Sequence, residues 1–241
     1  MDYPPTGTFI PRERNCDAVD VVPIGCVALD QLLGGGVEAG CLTLLYGVAG
    51  SGKTNVCLQV ARNIARDEKR VVYVDTEGVS LERLRQMCGD DFDRVVKRIL
   101  MSEPYSNEEQ EKLIESAVRM VEASEDIGLI SVDSMTMHYR LTLRHEDPEE
   151  RRSLTRQVAR LLRVARKTEI PVLLTSQVYT DIDRETIEPL GGHMFTHSCK
   201  TLVRFEKIGP SLRRAVRVKH RHLAEGESVK FRLTERGVED A

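Results

Sequence analysis

Gly47-Val48-Ala49-Gly50-Ser51-Gly52-Lys53-Thr54 is the stretch of this sequence best equipped for chemistry. A glycine, four residues, then Gly-Lys-Thr is the spacing at which successive backbone N–H groups curl around one anion. A helix directly behind such a loop adds the positive end of its dipole. Lys53 then reaches the terminal phosphates, and the Thr54 hydroxyl holds magnesium. Asn55 follows at the mouth of the same site. The flanks are the ones this chemistry needs. Cys41-Leu42-Thr43-Leu44-Leu45-Tyr46 is apolar and strand-like. From Asn55 to Arg66 apolar residues recur at Val56, Val60, Ala61 and Ile64 with helical spacing. The expected ligand is a nucleoside triphosphate with Mg2+.

Further functional side chains end other apolar runs. Arg70-Val71-Val72-Tyr73-Val74-Asp75 leads into Thr76-Glu77-Gly78, and Ile127-Gly128-Leu129-Ile130-Ser131-Val132 leads into Asp133. Pro171-Val172-Leu173-Leu174 runs out through Thr175, Ser176 and Gln177. In an open parallel sheet, ligands collect at the carboxyl ends of the strands. Asp75, Glu77, Asp133 and Gln177 are therefore expected on the edge that carries the phosphate loop. Asp133 is placed as P-loop proteins place the carboxylate that supports magnesium, here expected to act through water. A solvated acidic turn is the alternative for Glu77.

The elements that must position these groups follow from the rest of the chain. Residues 1–22 are rich in proline and mixed in charge, and read as an N-terminal arm; 23–241 reads as one core domain. A short helical turn after Ile24 meets Gly34-Gly35-Gly36, a reversal expected to bring Val37 onto the sheet. A helix is expected near 81–88, a strand over 95–100, and a long amphipathic helix capped by Asn107. A helix after Arg152 buries Leu154, Val158, Leu161, Leu162 and Ala165 and turns arginines outward, either as a solvated face or toward nucleic acid. Val178 to Ser198 reads as a long functional loop. Three alternating β segments then close the chain. From Lys200 to Arg221 there are eight Lys or Arg residues and one acid, Glu206. A nucleic-acid surface or a subunit interface would explain that asymmetry. Lys219 and Arg221 read as two cations on one face of a strand.

Composition narrows the classes. The chain has 241 residues, 41% hydrophobic and 30% charged, with a net charge of −3, which suits a soluble α/β domain. No apolar run is long enough to span a membrane, so no membrane role is expected. Six cysteines lack the paired short spacing of zinc sites and read as reduced core residues of a cytoplasmic protein. His193 and His197 stand four apart, but Gly191-Gly192 ahead of them argues against a regular helix and a metal pair.

Several of these pieces together resemble a known family. Val72-Tyr73-Val74-Asp75-Thr76-Glu77-Gly78 with Leu81-Glu82-Arg83-Leu84, Val132-Asp133-Ser134 with Tyr139-Arg140, Thr175-Ser176-Gln177, and Gly191-Gly192-His193 running to His197 are similar to the RecA/RadA recombinase core. The likeness covers roughly residues 20 to 235. Without an extra N-terminal domain, the chain most resembles the RadB family, the short archaeal paralogue of RadA. This resemblance implies a RecA-like P-loop ATPase fold, with a mostly parallel central sheet flanked by helices and antiparallel C-terminal strands. It implies that Glu77 positions or deprotonates the attacking water and that Gln177 senses the γ-phosphate. Arg83 would stack on the adenine, and His197 would close the far end of the long loop. It further implies that Lys219 and Arg221 extend into a neighbouring subunit's ATP site, two solvated cations being the alternative.

Two departures bear on activity. No Phe-x-x-Ala, the segment by which recombinases dock protomers, occurs in the sequence. The loop that should hold DNA carries Asp181, Asp183, Glu185 and Glu188 against Arg184 alone, and acids repel phosphates. The resemblance then implies an ATP-binding accessory protein of DNA repair and recombination with weak hydrolysis and no autonomous strand exchange. It would bind single-stranded or branched DNA largely without sequence preference. Implied partners are the RadA recombinase and a Holliday-junction resolvase, and an oligomer is compatible with the fold. An active RadA-like recombinase is one alternative. A KaiC-like regulatory ATPase is the other, though that family uses paired glutamates where Asp75-Thr76-Glu77-Gly78 has one.

Overall fold

The computed structural model of the chain describes residues 19–142, 148–181 and 186–241. Val21–Val22 (β1) pairs antiparallel with Val37–Glu38 (β2), and Val27–Leu32 (α1) lies between them. The phosphate loop then joins Leu42–Gly47 (β3) to Lys53–Arg66 (α2), and Arg70–Asp75 (β4) follows. Leu81–Cys88 (α3), Phe92–Val96 (α4), Ile99–Ser102 (β5) and Asn107–Ala123 (α5) lead to Ile127–Asp133 (β6). Beyond Met137–Thr142 (α6), Pro148–Thr168 (α7) packs on α5 and returns to Val172–Ser176 (β7). A hairpin of Val178–Asp181 (β8) and Thr186–Pro189 (β9) precedes Gly192–Ser198 (α8). Thr201–Lys207 (β10), Leu212–Lys219 (β11), Ser228–Thr234 (β12) and Gly237–Asp240 (β13) end the chain.

Nine strands form one sheet in the order β13-β12-β11-β10-β3-β7-β6-β4-β5. Strands β10, β3, β7, β6, β4 and β5 run parallel, and β11, β12 and β13 run antiparallel. Helices cover both faces, so the central strands are apolar on both sides and read as continuous runs. On one face α1, α2, α3 and α4 bury Val56, Val60, Ile64, Leu84 and Phe92. On the other, α5 and α7 bury Ile114, Val118, Val121, Leu154, Val158 and Leu161.

The two ends of the described chain meet at the helix behind the phosphate loop. Gln59 of α2 donates to the carbonyls of Ile24 and Val238, each at 3.0 Å, and accepts from the Val238 N–H at 2.8 Å. Asp240 caps α1, taking the N–H of Ala28 at 2.7 Å. Gly237 is required here, because a Cβ on it would stand 2.1 Å from Gln59 Oε1.

Several expectations need correction. Val37 enters the two-stranded ribbon with β1, so Val21 and Val22, assigned to the arm, belong to the folded part. Val95 and Val96 end α4, and the strand starts at Ile99; burial of Phe92 and Val95 on the core overrides the β preference of paired valines. The cap of α5 is Ser106, whose hydroxyl accepts from the Glu109 N–H at 3.1 Å, one residue before Asn107. Of the stretch 178–198, the described residues form two paired strands, β8 and β9, and the helix α8. Gly191, at φ 106, supplies the left-handed cap that lets α8 begin, which the double glycine had argued against. Residues 1–18, together with Asp183, Arg184 and Glu185 of the acidic stretch, lie outside the described residues. The five described cysteines are free and buried, and burial pushes the Cys26 thiol to about 11 and that of Cys199 to about 12. Among the described residues, no helix is long and apolar enough to cross a membrane.

Candidate nucleotide-binding site

The loop between β3 and α2 can turn because three of its residues lack a Cβ. Gly47, Gly50 and Gly52 have φ of 154, 70 and 104. Only glycine adopts such angles without strain. Gly47 is also held by space, since a Cβ on it would stand 2.2 Å from the Phe205 carbonyl of β10. Lys53 is 6% exposed, and its ammonium donates to the carbonyls of Gly47 at 2.9 Å and Val48 at 3.3 Å. Burial pulls its pKa down, and the nearby Glu77 and Asp133 charges oppose that shift. The Ser51 hydroxyl is buried with no partner. A buried cation on loop carbonyls and an orphaned hydroxyl are what a loop built for a polyanion presents.

Behind the loop, Asp133 ends β6 and is fully buried. Thr175 donates to its carboxylate at 2.5 Å and Tyr73 at 3.0 Å, and Thr54 hydrogen-bonds to it as well. Burial raises the Asp133 pKa, with those hydroxyls opposing. Asp75 has a different job. It accepts the N–H groups of Glu77, Gly78 and Val79 at 3.1, 2.9 and 2.5 Å, so it shapes the turn that presents Glu77. Glu77 is exposed on the loop edge and accepts from Gln177 Nε2 at 2.9 Å. The structure thus brings Lys53, Thr54, Glu77, Asp133 and Gln177 to one end of the sheet.

Arg83 lies to the side, near the start of α3. Its guanidinium donates to Asn55 Oδ1 at 2.7 Å, to the Thr234 carbonyl at 2.6 Å and to the Glu235 carbonyl at 3.0 Å. These residues and Leu233 line an open pocket of about 490 Å³ beside the start of α2.

His197, Lys219 and Arg221 are gathered elsewhere. Strand β11 runs against β10, so Lys219 pairs with Leu202 at the amino end of β10, the edge away from the loop. Lys219 donates to the carbonyls of Thr196, His197 and Cys199 at 3.3, 3.3 and 2.7 Å, closing the end of α8. Arg221 lies beyond β11 and pairs with the buried Glu38 at 2.7 Å. The strand therefore ends before the face-sharing expected of the two cations applies. His193 and His197 stack at 5.6 Å on the exposed side of α8.

The basic run from Lys200 to Arg221 is mostly committed within the fold. Arg204 and Arg214 share Glu206, and Arg217 binds Glu227 at 2.6 Å and the Leu32 carbonyl at 2.5 Å. Arg213, buried on β11, donates to the Gly50 carbonyl at 3.0 Å. Sequence reasoning missed this contact with the phosphate loop. Strand alternation through Arg213, Ala215 and Arg217 was the signal that could have found it. The arginine face of α7 is similarly engaged, with Arg156 and Arg160 both on Glu111.

The Rad51 family profile matches residues 16–241. The chain is 43% identical over 217 residues to the DNA repair and recombination protein RadB of Methanococcoides burtonii, covering 88% of this chain and 95% of that protein. It is 39% identical over 221 residues to the protein of the same name from Archaeoglobus fulgidus, covering 91% and 98%. A solved structure described as the crystal structure of the RadB recombinase superposes with a TM-score of 0.81 at 38% identity, covering 92% of this chain and 100% of that one.

Proposed function

The chain belongs to the Rad51 family, and from that premise we propose that it is an ATP-binding accessory protein of DNA repair and homologous recombination. The loop around Lys53 carries this reading, because a buried ammonium with only carbonyl partners awaits a stronger acceptor. The N–H groups of Gly50 to Thr54 hold the phosphates, and Lys53 exchanges its loop carbonyls for phosphate oxygens. Thr54 and Asp133, which hydrogen-bond to each other, would hold a magnesium ion, which would offset phosphate charge. Arg83 and Asn55, flanking the open pocket, take the adenine.

Glu77 orients the attacking water and Gln177 reads out the terminal phosphate, so the contact between them is the point where nucleotide state reaches the β8–β9 hairpin. Slow hydrolysis and ATP acting as a conformational ligand fit this arrangement. The DNA contact is to the phosphate backbone, for which the outer face of β10 to β12 offers Lys230 and Arg232, beside Arg204 and Arg214 that hold Glu206. Contacts with the RadA recombinase or a Holliday-junction resolvase are part of this proposal. Strand exchange by this chain alone is not, because Phe-x-x-Ala is lacking and the stretch 181–188 is acidic.

Calorimetry with magnesium and ATP is the primary test. Saturable uptake by the parent, lost in Lys53→Ala, is the expected result, and no uptake by the parent overturns the proposal. DNA affinity should fall steeply between low and moderate salt. Joint molecules formed in a strand-exchange assay would overturn the accessory role.

A further inference from the structure

The rim of the phosphate loop carries a cation that the roles above leave unused. Lys207 ends β10, the strand whose Phe205 pairs with Gly47 at the start of the loop. Side chains alternate along a strand, so Lys207 shares the face of Val203 and Phe205, which pack in the core beneath α2. Its ammonium lies 3.6 Å from where a Cβ on Gly50 would stand. Lys207 is exposed, and among the described residues no acid pairs with it. The adjacent Glu206 points to the opposite face, where Arg204 and Arg214 occupy its carboxylate.

Directly across the ladder from Lys207 stands Arg213. Its guanidinium donates to the Gly50 carbonyl at 3.0 Å and to those of Gly209, Pro210 and Leu212 at 3.0, 3.2 and 3.0 Å. Like charges directly opposite on a sheet destabilise it. With Lys53 inside the loop, three cations converge on one glycine-rich turn; Glu77 and Asp133 lie near Lys53, but among the described residues no carboxylate pairs with Lys207 or Arg213. That convergence opposes folding on its own and favours a bound polyanion.

We propose that Lys207 is a second phosphate-binding cation that this chain supplies to its own nucleotide, approaching from the β10 side of the loop. Arg213 is a positioning residue that turns the Gly50 carbonyl toward β11 and out of the phosphate cradle. Unlike Lys219 and Arg221, Lys207 stands on the loop's own edge of the sheet and needs no second copy. The inference rests on the nucleotide-binding function proposed above.

Calorimetry with magnesium and ATP, and separately with inorganic tripolyphosphate, tests it on the parent chain, Lys207→Ala, Lys207→Arg and Lys53→Ala. Loss of one charge-assisted contact should weaken both ligands by about tenfold or more in Lys207→Ala. Lys207→Arg should stay within about threefold of the parent, because it keeps the charge. The nucleotide-free melting temperature of Lys207→Ala should match or exceed the parent's, since a like-charge contact is relieved. If Lys207→Ala binds both ligands as the parent does while Lys53→Ala binds neither, this inference falls and the proposed function stands. A lowered nucleotide-free melting temperature with the same affinity loss in Lys207→Arg would assign Lys207 a structural role and overturn it. If the parent takes up no ATP, both fall.

Discussion

Gln177 donates its side-chain amide to the Glu77 carboxylate at 2.9 Å, joining the ends of β7 and β4 across 100 positions of sequence. Gln177 also reaches the Met137 sulfur at 3.3 Å and directly precedes β8. The Glu77 contact thus stands one residue ahead of the hairpin. Glu77→Gln keeps the size of the side chain and removes its charge. Its turnover should fall by about 10²-fold or more, as for loss of a general base, with affinity for magnesium–ATP within about threefold. A variant as fast as the parent in a phosphate-release assay would remove Glu77 from the chemistry.

Arg83 links Asn55 to the carbonyls of Thr234 and Glu235, so it shapes the open pocket without touching the phosphate loop. Arg83→Ala should weaken ATP by about tenfold and leave inorganic tripolyphosphate nearly unchanged. Equal losses for both ligands in competition binding would place its effect on the phosphates and count against a base-binding role.

Gly47 has no space for a side chain, with the Phe205 carbonyl 2.2 Å from the Cβ position. Gly47→Ala must spread β3 from β10, at a cost of roughly 3 kcal/mol. Chemical denaturation reads this directly. A midpoint within error of the parent's would mean that the strands separate at no cost.

Glu111 accepts from Arg156 Nε at 2.9 Å, Ser153 at 2.5 Å and Arg160 at 2.6 Å, tying α5 to α7. The Arg156 contact is the main cause that pulls its pKa to about 2 from the usual 4.5. The folded state therefore holds its proton less tightly than the unfolded chain. The stabilisation is complete above the ordinary carboxylate range and is lost as pH falls from 4.5 toward about 2. Glu111→Gln should be less stable by about 1 kcal/mol at neutral pH, and the gap should close on acidification through that window. A gap independent of pH would point to packing alone.

Local chemistry made the strand, loop and helix around Lys53 legible, because glycine spacing and apolar runs are written in consecutive residues. Asp133 was legible for the same reason, as the polar end of an apolar strand. The pair of acids at 75 and 77 was harder. Both follow the same apolar run, yet Asp75 is taken up by three backbone N–H groups, and only coordinates separate the turn-former from the exposed carboxylate. The basic run misled most. Arg213 and Arg217 read as surface charge, but they are 5% and 2% exposed and spend their donors on carbonyls and Glu227. A charge count cannot reveal that, because it depends on which face of β11 turns inward. Lys219 and Arg221 belong to the same lesson, since one turns back to the carbonyl of Cys199 and the other finds Glu38 far away in the sequence.

The tie at Gln59 has a practical corollary for anyone handling this protein. Gly237–Asp240 looks like a dispensable fringe strand, but it is the peg on which α2 hangs. Removing or displacing that strand would slacken the helix that carries Lys53 while every residue of the glycine-rich loop stayed intact. A preparation cleaved before Gly237 would masquerade as a variant of the loop itself.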